Sequence, residues 1–155
     1  MILTKSQICK LLDISSAFLF LNSSKISKKK KEVIGKFKIP RSHWIFSAHL
    51  ISDPMFPGVF LVEAMCQTAM LMIYLNLKKN SPRGVLRSVD ITFKNPVKRK
   101  TTPLILRTEA KEISSKRGIS NFSVKISSFD NKITYAEGSI VHFLPPVSPY
   151  TKEEK

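Results

Sequence analysis

The chain has 155 residues, 43% of them apolar, and its 26 lysines and arginines outnumber 11 acidic residues, which gives a net charge of +15. This length and apolar content fit one compact domain and exclude a wholly disordered chain. The charge favours an anionic partner such as nucleic acid, an anionic membrane surface, an acidic carrier protein or a phosphate-bearing cofactor, although a solvated basic surface explains it equally well.

The first forty residues predict one helix and two strands. Residues 4–12 begin with Thr and Ser and place Ile8, Leu11 and Leu12 at helical spacing, which predicts a short amphipathic helix. Strands are predicted at 17–22 and 32–39, and the four lysines at 28–31 mark an exposed hairpin connection between them. The apolar run at 17–21 is too short for a signal peptide or a membrane span, so we expect a cytoplasmic protein.

The middle of the chain predicts a long buried helix. Residues 59–77 are apolar almost all the way round, with Glu63, Gln67, Thr68 and Asn76 as the main interruptions. A carboxylate, an amide and a hydroxyl in its first half argue against a membrane helix. Neither Cys9 nor Cys66 has a Cys or His neighbour at metal-ligand spacing, so we predict reduced cysteines and no metal site.

Four further strands are predicted at 85–93, 104–113, 119–127 and 133–143, with a turn at Asp130-Asn131 between the last two. The last two strands alternate, and the alternation places these side chains on shared faces: Phe122, Val124 and Ile126, then Ile133, Tyr135, Ser139, Val141 and Phe143. This order predicts an α+β fold in which an antiparallel sheet curls around one long central helix. Residues 1–145 are assigned to a single domain, and prolines 145, 146 and 149 precede a tail, 146–155, that is predicted to be disordered.

The block from 49 to 67 carries the residues suited to catalysis. His49 lies in a loop, Pro57-Gly58 opens the buried helix, and Glu63 follows inside it. Bare backbone N–H groups at a helix N-terminus can hold an oxyanion, and an imidazole can abstract a proton near neutral pH. A glutamate in an apolar helix should have a raised pKa and act as an acid, while Gln67, four residues on, could hydrogen-bond it. On the residues alone, the alternative remains that His49 is an ordinary surface residue and that Pro57-Gly58 only starts the helix.

This block resembles the signature of the FabZ-type 3-hydroxyacyl-(acyl-carrier-protein) dehydratases. That signature runs Gly-His-Phe-Pro, two residues, Pro, two residues, Pro-Gly-Val, and then a short spacer to Glu-Ala and a Gln. The residues of this chain that fall on it without a gap are His49, Pro54, Pro57, Gly58, Val59, Glu63, Ala64 and Gln67. Weaker similarity on both sides, including Phe-Lys-Asn-Pro-Val at 93–97, extends the resemblance over most of residues 5–143.

The resemblance implies a hot-dog fold and a homodimer, with a trimer of dimers as a further possibility, and active sites at the dimer interface. It implies that His49 removes the C2 proton, that Glu63 of the other subunit protonates the departing 3-hydroxyl, and that the Gly58 N–H holds the thioester oxygen. Val59 and Gln67 complete the expected substrate-binding set. The implied substrate is carried on the phosphopantetheine of acyl carrier protein, and no metal or redox cofactor is expected.

The chain departs from the signature around the proposed base. Ala48 replaces the glycine before His49, and Leu50-Ile51 replace Phe-Pro after it, which indicates a divergent member of the group. Two alternatives stay open. A hot-dog thioesterase would use the helix carboxylate with water, and an acyl-thioester-binding subunit would have no activity. Specific nucleic-acid binding is not expected, because the chain shows no helix-turn-helix, zinc site or interleaved aromatic and basic residues.

Overall fold

The computed structural model describes residues 1–75, 77, 83–100 and 105–145. The helices and strands within these residues follow one another in this order: β1 (Ile2–Thr4), α1 (Lys5–Leu12), β2 (Leu21–Ser27), β3 (Glu32–Lys38), α2 (Ile45–Ala48), α3 (Gly58–Tyr74), β4 (Val85–Phe93), β5 (Ile105–Lys116), β6 (Ile119–Ser128) and β7 (Thr134–Phe143). The predicted tail at 146–155 and the predicted strand residue 104 lie outside the described residues. Among the helices described, none is long and apolar enough to cross a membrane.

A single antiparallel sheet of seven strands packs against α3. The strand order is β1-β2-β3-β5-β6-β7-β4, and every neighbouring pair is antiparallel. The inner side of this sheet and α3 share one hydrophobic core. Because α3 is apolar on nearly every face, it is buried along most of its length, as the sequence predicts. The α+β prediction of a sheet around a long central helix is therefore confirmed.

The N-terminal helix begins where its sequence predicts. Thr4 accepts a hydrogen bond from the backbone N–H of Gln7, and the Gln7 side chain accepts one from the backbone of Thr4. This reciprocal cap starts α1 at Lys5, and Ile8 and Leu12 are its buried residues. The exposed turn at 28–31 between β2 and β3 is also confirmed.

Two local predictions are wrong, and two elements were not predicted. Residues 16–18 form a turn rather than the beginning of a strand, and β2 starts at Leu21. The short elements β1 and α2 have no distinct sequence pattern at their lengths of three and four residues. In β7 the predicted shared face is wrong: Tyr135 is buried, but Ile133 and Ser139 are exposed and Val141 is half-buried, whereas Ile140 and His142 are buried.

Candidate active site at the start of the central helix

The start of α3 is an open helix end beside the last residue of β4. Pro57 is the N-cap and Gly58 the first helical residue, and no side chain caps the helix. The Phe93 ring lies so close that a β-carbon on Gly58 would be 2.6 Å from its Cε1 atom. Glycine is therefore required for this close approach, and the first N–H groups of the helix have no side-chain acceptor.

A cavity of about 450 Å³ opens at this helix end. It lies between the α3 N-terminus and the segment that follows β4, and residues from both line it: Met55, Phe56, Gly58, Val59, Leu61, Phe93, Lys94, Asn95, Pro96 and Val97. Two of the predicted substrate-binding residues, Gly58 and Val59, are thus placed at the cavity, and Val59 is 69% exposed. The cavity is largely apolar with one cation, which suits an acyl or pantetheine chain.

His49 is held by a backbone carbonyl next to the cavity. It ends α2 in an extended conformation, is half-buried, and its Nδ1 lies 3.0 Å from the carbonyl oxygen of Met55. Because a carbonyl can only accept, Nδ1 carries the hydrogen in this contact. A neutral ring so held presents an unprotonated Nε2, which is the form that a general base requires.

Glu63 and Gln67 lie together on the next turns of α3. Gln67 Nε2 donates to Glu63 Oε1 at 3.0 Å, as the four-residue spacing suggested. Burial raises the pKa of the half-buried Glu63 carboxyl, while the hydrogen bond from Gln67 acts in the opposite direction. Burial of the neighbouring Cys66 side chain, together with the charge of Glu63, raises the pKa of the Cys66 thiol to about 12 and makes that thiol a poor nucleophile.

Gln67 also joins α3 to the segment before β2. Its Nε2 donates to the carbonyl of Phe18 at 3.0 Å, and its Oε1 accepts the backbone N–H of Phe20 at 3.0 Å. With 1% of its surface exposed, the amide has all its principal contacts within the protein. Its expected contact with substrate stays a prediction, whereas its orienting contact with Glu63 is seen directly.

An aromatic cluster supports this region and was not anticipated. The Phe20 ring lies 5.3 Å from that of Phe37, 6.4 Å from that of Phe56 and 5.6 Å from that of Phe60. Phe56 and Phe60 are four residues apart, but Phe20 and Phe37 come from distant parts of the chain, so no local periodicity could reveal the whole cluster. The cluster packs the loop before α3, the first turn of α3, the segment before β2, and β3 into one unit.

Within this single chain, the described residues show no hydrogen bond or ion pair between His49 and Glu63. The structure therefore brings Gly58 and Val59 to the cavity, seats His49 on a cavity-lining residue and pairs Glu63 with Gln67. No group of three or more metal-ligating side chains comes together among the residues described.

Comparison with known proteins shows the family to which the chain belongs. Residues 15–137 match the FabA-like domain. The 3-hydroxyacyl-(acyl-carrier-protein) dehydratase FabZ of Ruminiclostridium cellulolyticum is 30% identical over 139 residues, covering 89% of this chain and 94% of the relative. The enzyme of the same name from Geotalea uraniireducens is 30% identical over 117 residues, covering 74% of this chain and 79% of the relative.

Solved structures share the fold. The dehydratase heterocomplex ApeI:P from Xenorhabdus doucetiae superposes with a TM-score of 0.71 at 16% identity, covering 90% of this chain and 91% of that one. A thioesterase from Haemophilus influenzae also superposes with a TM-score of 0.71, at 12% identity, covering 97% of this chain and 96% of that one. These neighbours establish the hot-dog fold, and the match over residues 15–137 shows that the chain belongs to the FabA-like family as a divergent FabZ-type member.

Proposed function

We propose that this chain dehydrates a 3-hydroxyacyl thioester on acyl carrier protein to the trans-2-enoyl thioester, in fatty-acid or related acyl-chain biosynthesis. The observation that carries the proposal is the FabA-like match across the block that contains His49, Gly58 and Glu63. The named activity of the FabZ relatives supports the same reaction. The acyl group would arrive on phosphopantetheine, and the positive charge of the chain suits an acidic carrier. A cytoplasmic location remains a prediction.

The proposed chemistry needs one base, one acid and one oxyanion donor. His49 Nε2 removes the C2 proton while the Gly58 N–H stabilises the charge that develops on the thioester oxygen. The C3–O bond then breaks, and the hydroxyl leaves as water with a proton from Glu63 of the partner subunit. The proton held by the imidazole and the one lost by the carboxyl are exchanged with solvent before the next turnover, so the net change is loss of water.

The surroundings of Glu63 support its assignment as the acid. Because burial raises its pKa, more of the carboxyl is protonated near neutral pH than at an exposed site. The Gln67 amide, fixed by two backbone contacts, donates to one carboxyl oxygen and leaves the other for the substrate hydroxyl. The carboxyl is thus oriented by Gln67, and its raised pKa favours the protonated form that an acid requires.

A homodimer is part of the proposal, and the edge strand β4 supports it. β4 pairs only with β7 in the described sheet, and eight of its nine residues are exposed. Its exposed apolar residues include Val85 at 55%, Leu86 at 47% and Val89 at 39%. A long exposed strand edge invites pairing with another strand, and a second copy would supply one. A trimer of dimers stays a prediction.

The direct test is incubation with 3-hydroxyacyl carrier protein and detection of the enoyl product by mass spectrometry. We expect His49→Ala and Glu63→Gln to lose at least a hundredfold in turnover while remaining dimeric. Glu112→Gln is the matched control for Glu63→Gln, since Glu112 pairs with Lys31 at 3.0 Å away from the proposed site, and it should keep normal turnover. Normal turnover by either site variant would refute the mechanism.

The same assay separates the two alternatives. The thioesterase neighbour from Haemophilus influenzae shares the fold, and hydrolysis would release free carrier thiol without an enoyl product. A non-catalytic binding subunit would show neither product and would bind the carrier equally well after His49→Ala.

A further inference from the structure

The loop that leads from His49 to α3 is fastened to the segment that follows β4. Asp53, on this loop, turns back so that its N–H donates to the carbonyl of Leu50 at 3.0 Å. Two backbone hydrogen bonds then join the loop to residues 97–99: Phe56 N–H donates to the Val97 carbonyl at 2.8 Å, and Arg99 N–H donates to the Pro54 carbonyl at 3.2 Å. Together they form an isolated β-bridge in which Met55 lies opposite Lys98.

An ion pair lies at one end of these backbone contacts. Lys98 Nζ is 2.8 Å from Asp53 Oδ2, and the side chains are 39% and 57% exposed. Lys98 thus lies opposite Met55 in the bridge, and its ammonium contacts the same loop through Asp53. The carbonyl of Met55 is the group that receives Nδ1–H from His49. The ion pair is therefore two contacts away from the proposed base.

The loop is anchored in the core at its α3 end, where Phe56 is 3% exposed and packs in the aromatic cluster, but it is not anchored at the residues that follow His49. Leu50 has a positive φ of 50°, a conformation that is unfavourable for a leucine. Leu50 and Ile51 are 51% and 81% exposed, so neither side chain anchors the loop in the core. These are the two positions at which the FabZ-type signature has Phe-Pro, and Pro would restrict φ by itself. This chain needs another constraint at that place.

We propose that Asp53 and Lys98 form a positioning pair that fixes the Met55 carbonyl and thereby the tautomer and direction of His49. This inference rests on the proposed dehydratase function for its kinetic effect. The pair takes the place of the missing Phe-Pro constraint by fastening the far side of the loop to residues 97–99. It touches neither substrate nor reacting atoms, so it acts on the turnover step through His49 and leaves substrate binding nearly unchanged.

Steady-state kinetics test the pair in Asp53→Asn, Lys98→Met, the double variant and the swapped variant Asp53→Lys/Lys98→Asp. A 3-hydroxyacyl N-acetylcysteamine thioester is the substrate, because it removes carrier docking from the measurement. At low salt we expect each single variant to lose about three- to tenfold in kcat, with KM within about twofold, since an exposed ion pair is a modest interaction. The double variant should lose no more than either single one.

Two further readouts separate positioning from general stability. The parent kcat should fall toward that of Lys98→Met as NaCl rises to 0.5 M, because salt screens an exposed pair, and the swapped variant should regain at least half of the lost kcat. Lys31→Met is the matched control: Lys31 pairs with Glu112 at 3.0 Å on the β2–β3 hairpin and should leave kcat unchanged. Full kcat in both single variants, an equal loss in the control or no recovery in the swapped variant would overturn the proposal.

The ring state of His49 gives a test that does not depend on turnover. Nitrogen NMR of the parent should show Nδ1 protonated in the neutral ring, and Lys98→Met should show a mixture of the two tautomers. Identical tautomer populations in the two proteins would overturn the positioning role. Absence of dehydration by the parent would instead refute the proposed function, with the NMR result still deciding whether the pair orients His49.

Discussion

The buried histidine on β7 makes the stability of this protein sensitive to mild acid. His142 is 1% exposed, and within the described structure neither of its ring nitrogens has a hydrogen-bond partner. Its ring packs against the Phe122 ring at 6.1 Å. Burial lowers the pKa of His142 from 6.5 to about 4 because a charged imidazolium cannot be solvated there.

The size of the effect follows from this shift. In the unfolded chain His142 is protonated as the pH falls through 6.5, whereas in the folded chain it is protonated only as the pH falls through about 4. The free energy of unfolding therefore decreases as the pH drops between these values. From pH 7.5 to pH 5 the expected loss is about 2 kcal/mol in the free energy of unfolding. Glu63 acts in the opposite direction because its pKa is raised in the folded state, so its contribution must be separated.

Replacement of His142 isolates its contribution. His142→Leu removes two unpaired nitrogens at similar volume and should be at least as stable as the parent at pH 7.5. Urea unfolding is measured for both proteins at the same protein concentration. Between pH 7.5 and 5 the free energy of unfolding of the parent should fall by about 2 kcal/mol more than that of the variant. Equal losses in the two proteins would refute the account of a neutral, unpaired imidazole in the core.

Three other substitutions test the site and the proposed interface. Gly58→Ala should lower the melting temperature and the turnover because its β-carbon meets the ring of Phe93. Adding Phe93→Ala to the same chain should recover the melting temperature. A Gly58→Ala protein with the melting temperature of the parent would contradict the close approach. Gln67→Leu leaves backbone groups unpaired and should cost about 2–4 kcal/mol in urea unfolding. The Glu63 pKa should also rise further in that variant by carbon NMR titration, and an unchanged titration would contradict the orienting bond. Val89→Lys places a charge on β4 and should give monomers in sedimentation with retained circular dichroism; an intact dimer would exclude β4 as the interface.

The parts of the fold that could be predicted are those with local patterns. The cap of α1 needs only residues three apart, and α3 is predicted by its nearly continuous apolar character. The segment at 17–22 is also largely apolar, yet its residues 17–20 do not join β2, because the Gln67 amide on α3 hydrogen-bonds the Phe18 carbonyl and the Phe20 N–H. A contact between residues nearly fifty positions apart outweighs local strand preference there.

The error in β7 has a similar physical origin. In the pairing with β6, Ile126 lies opposite Ala136 while Ser127 lies opposite Thr134, so Tyr135 is an extra residue in the strand. One extra residue inverts the inward and outward faces beyond it, which buries Ile140 and His142. Alternation read from the sequence cannot anticipate this, since it assumes an unbroken period of two.

Chemistry and resemblance could propose His49 and Glu63, and their direct contacts with Met55 and Gln67 are near in sequence. The residues that close the cavity beside the α3 N-terminus lie much farther along the chain. Phe93 shows why the edge strand matters to the site: it is the last residue of β4, lines the cavity and covers Gly58. In the proposed homodimer, pairing along β4 would therefore hold the same ring that shapes the helix end. Dimerisation and catalysis should then be coupled, and a folded monomer should be inactive even with His49 and Glu63 intact.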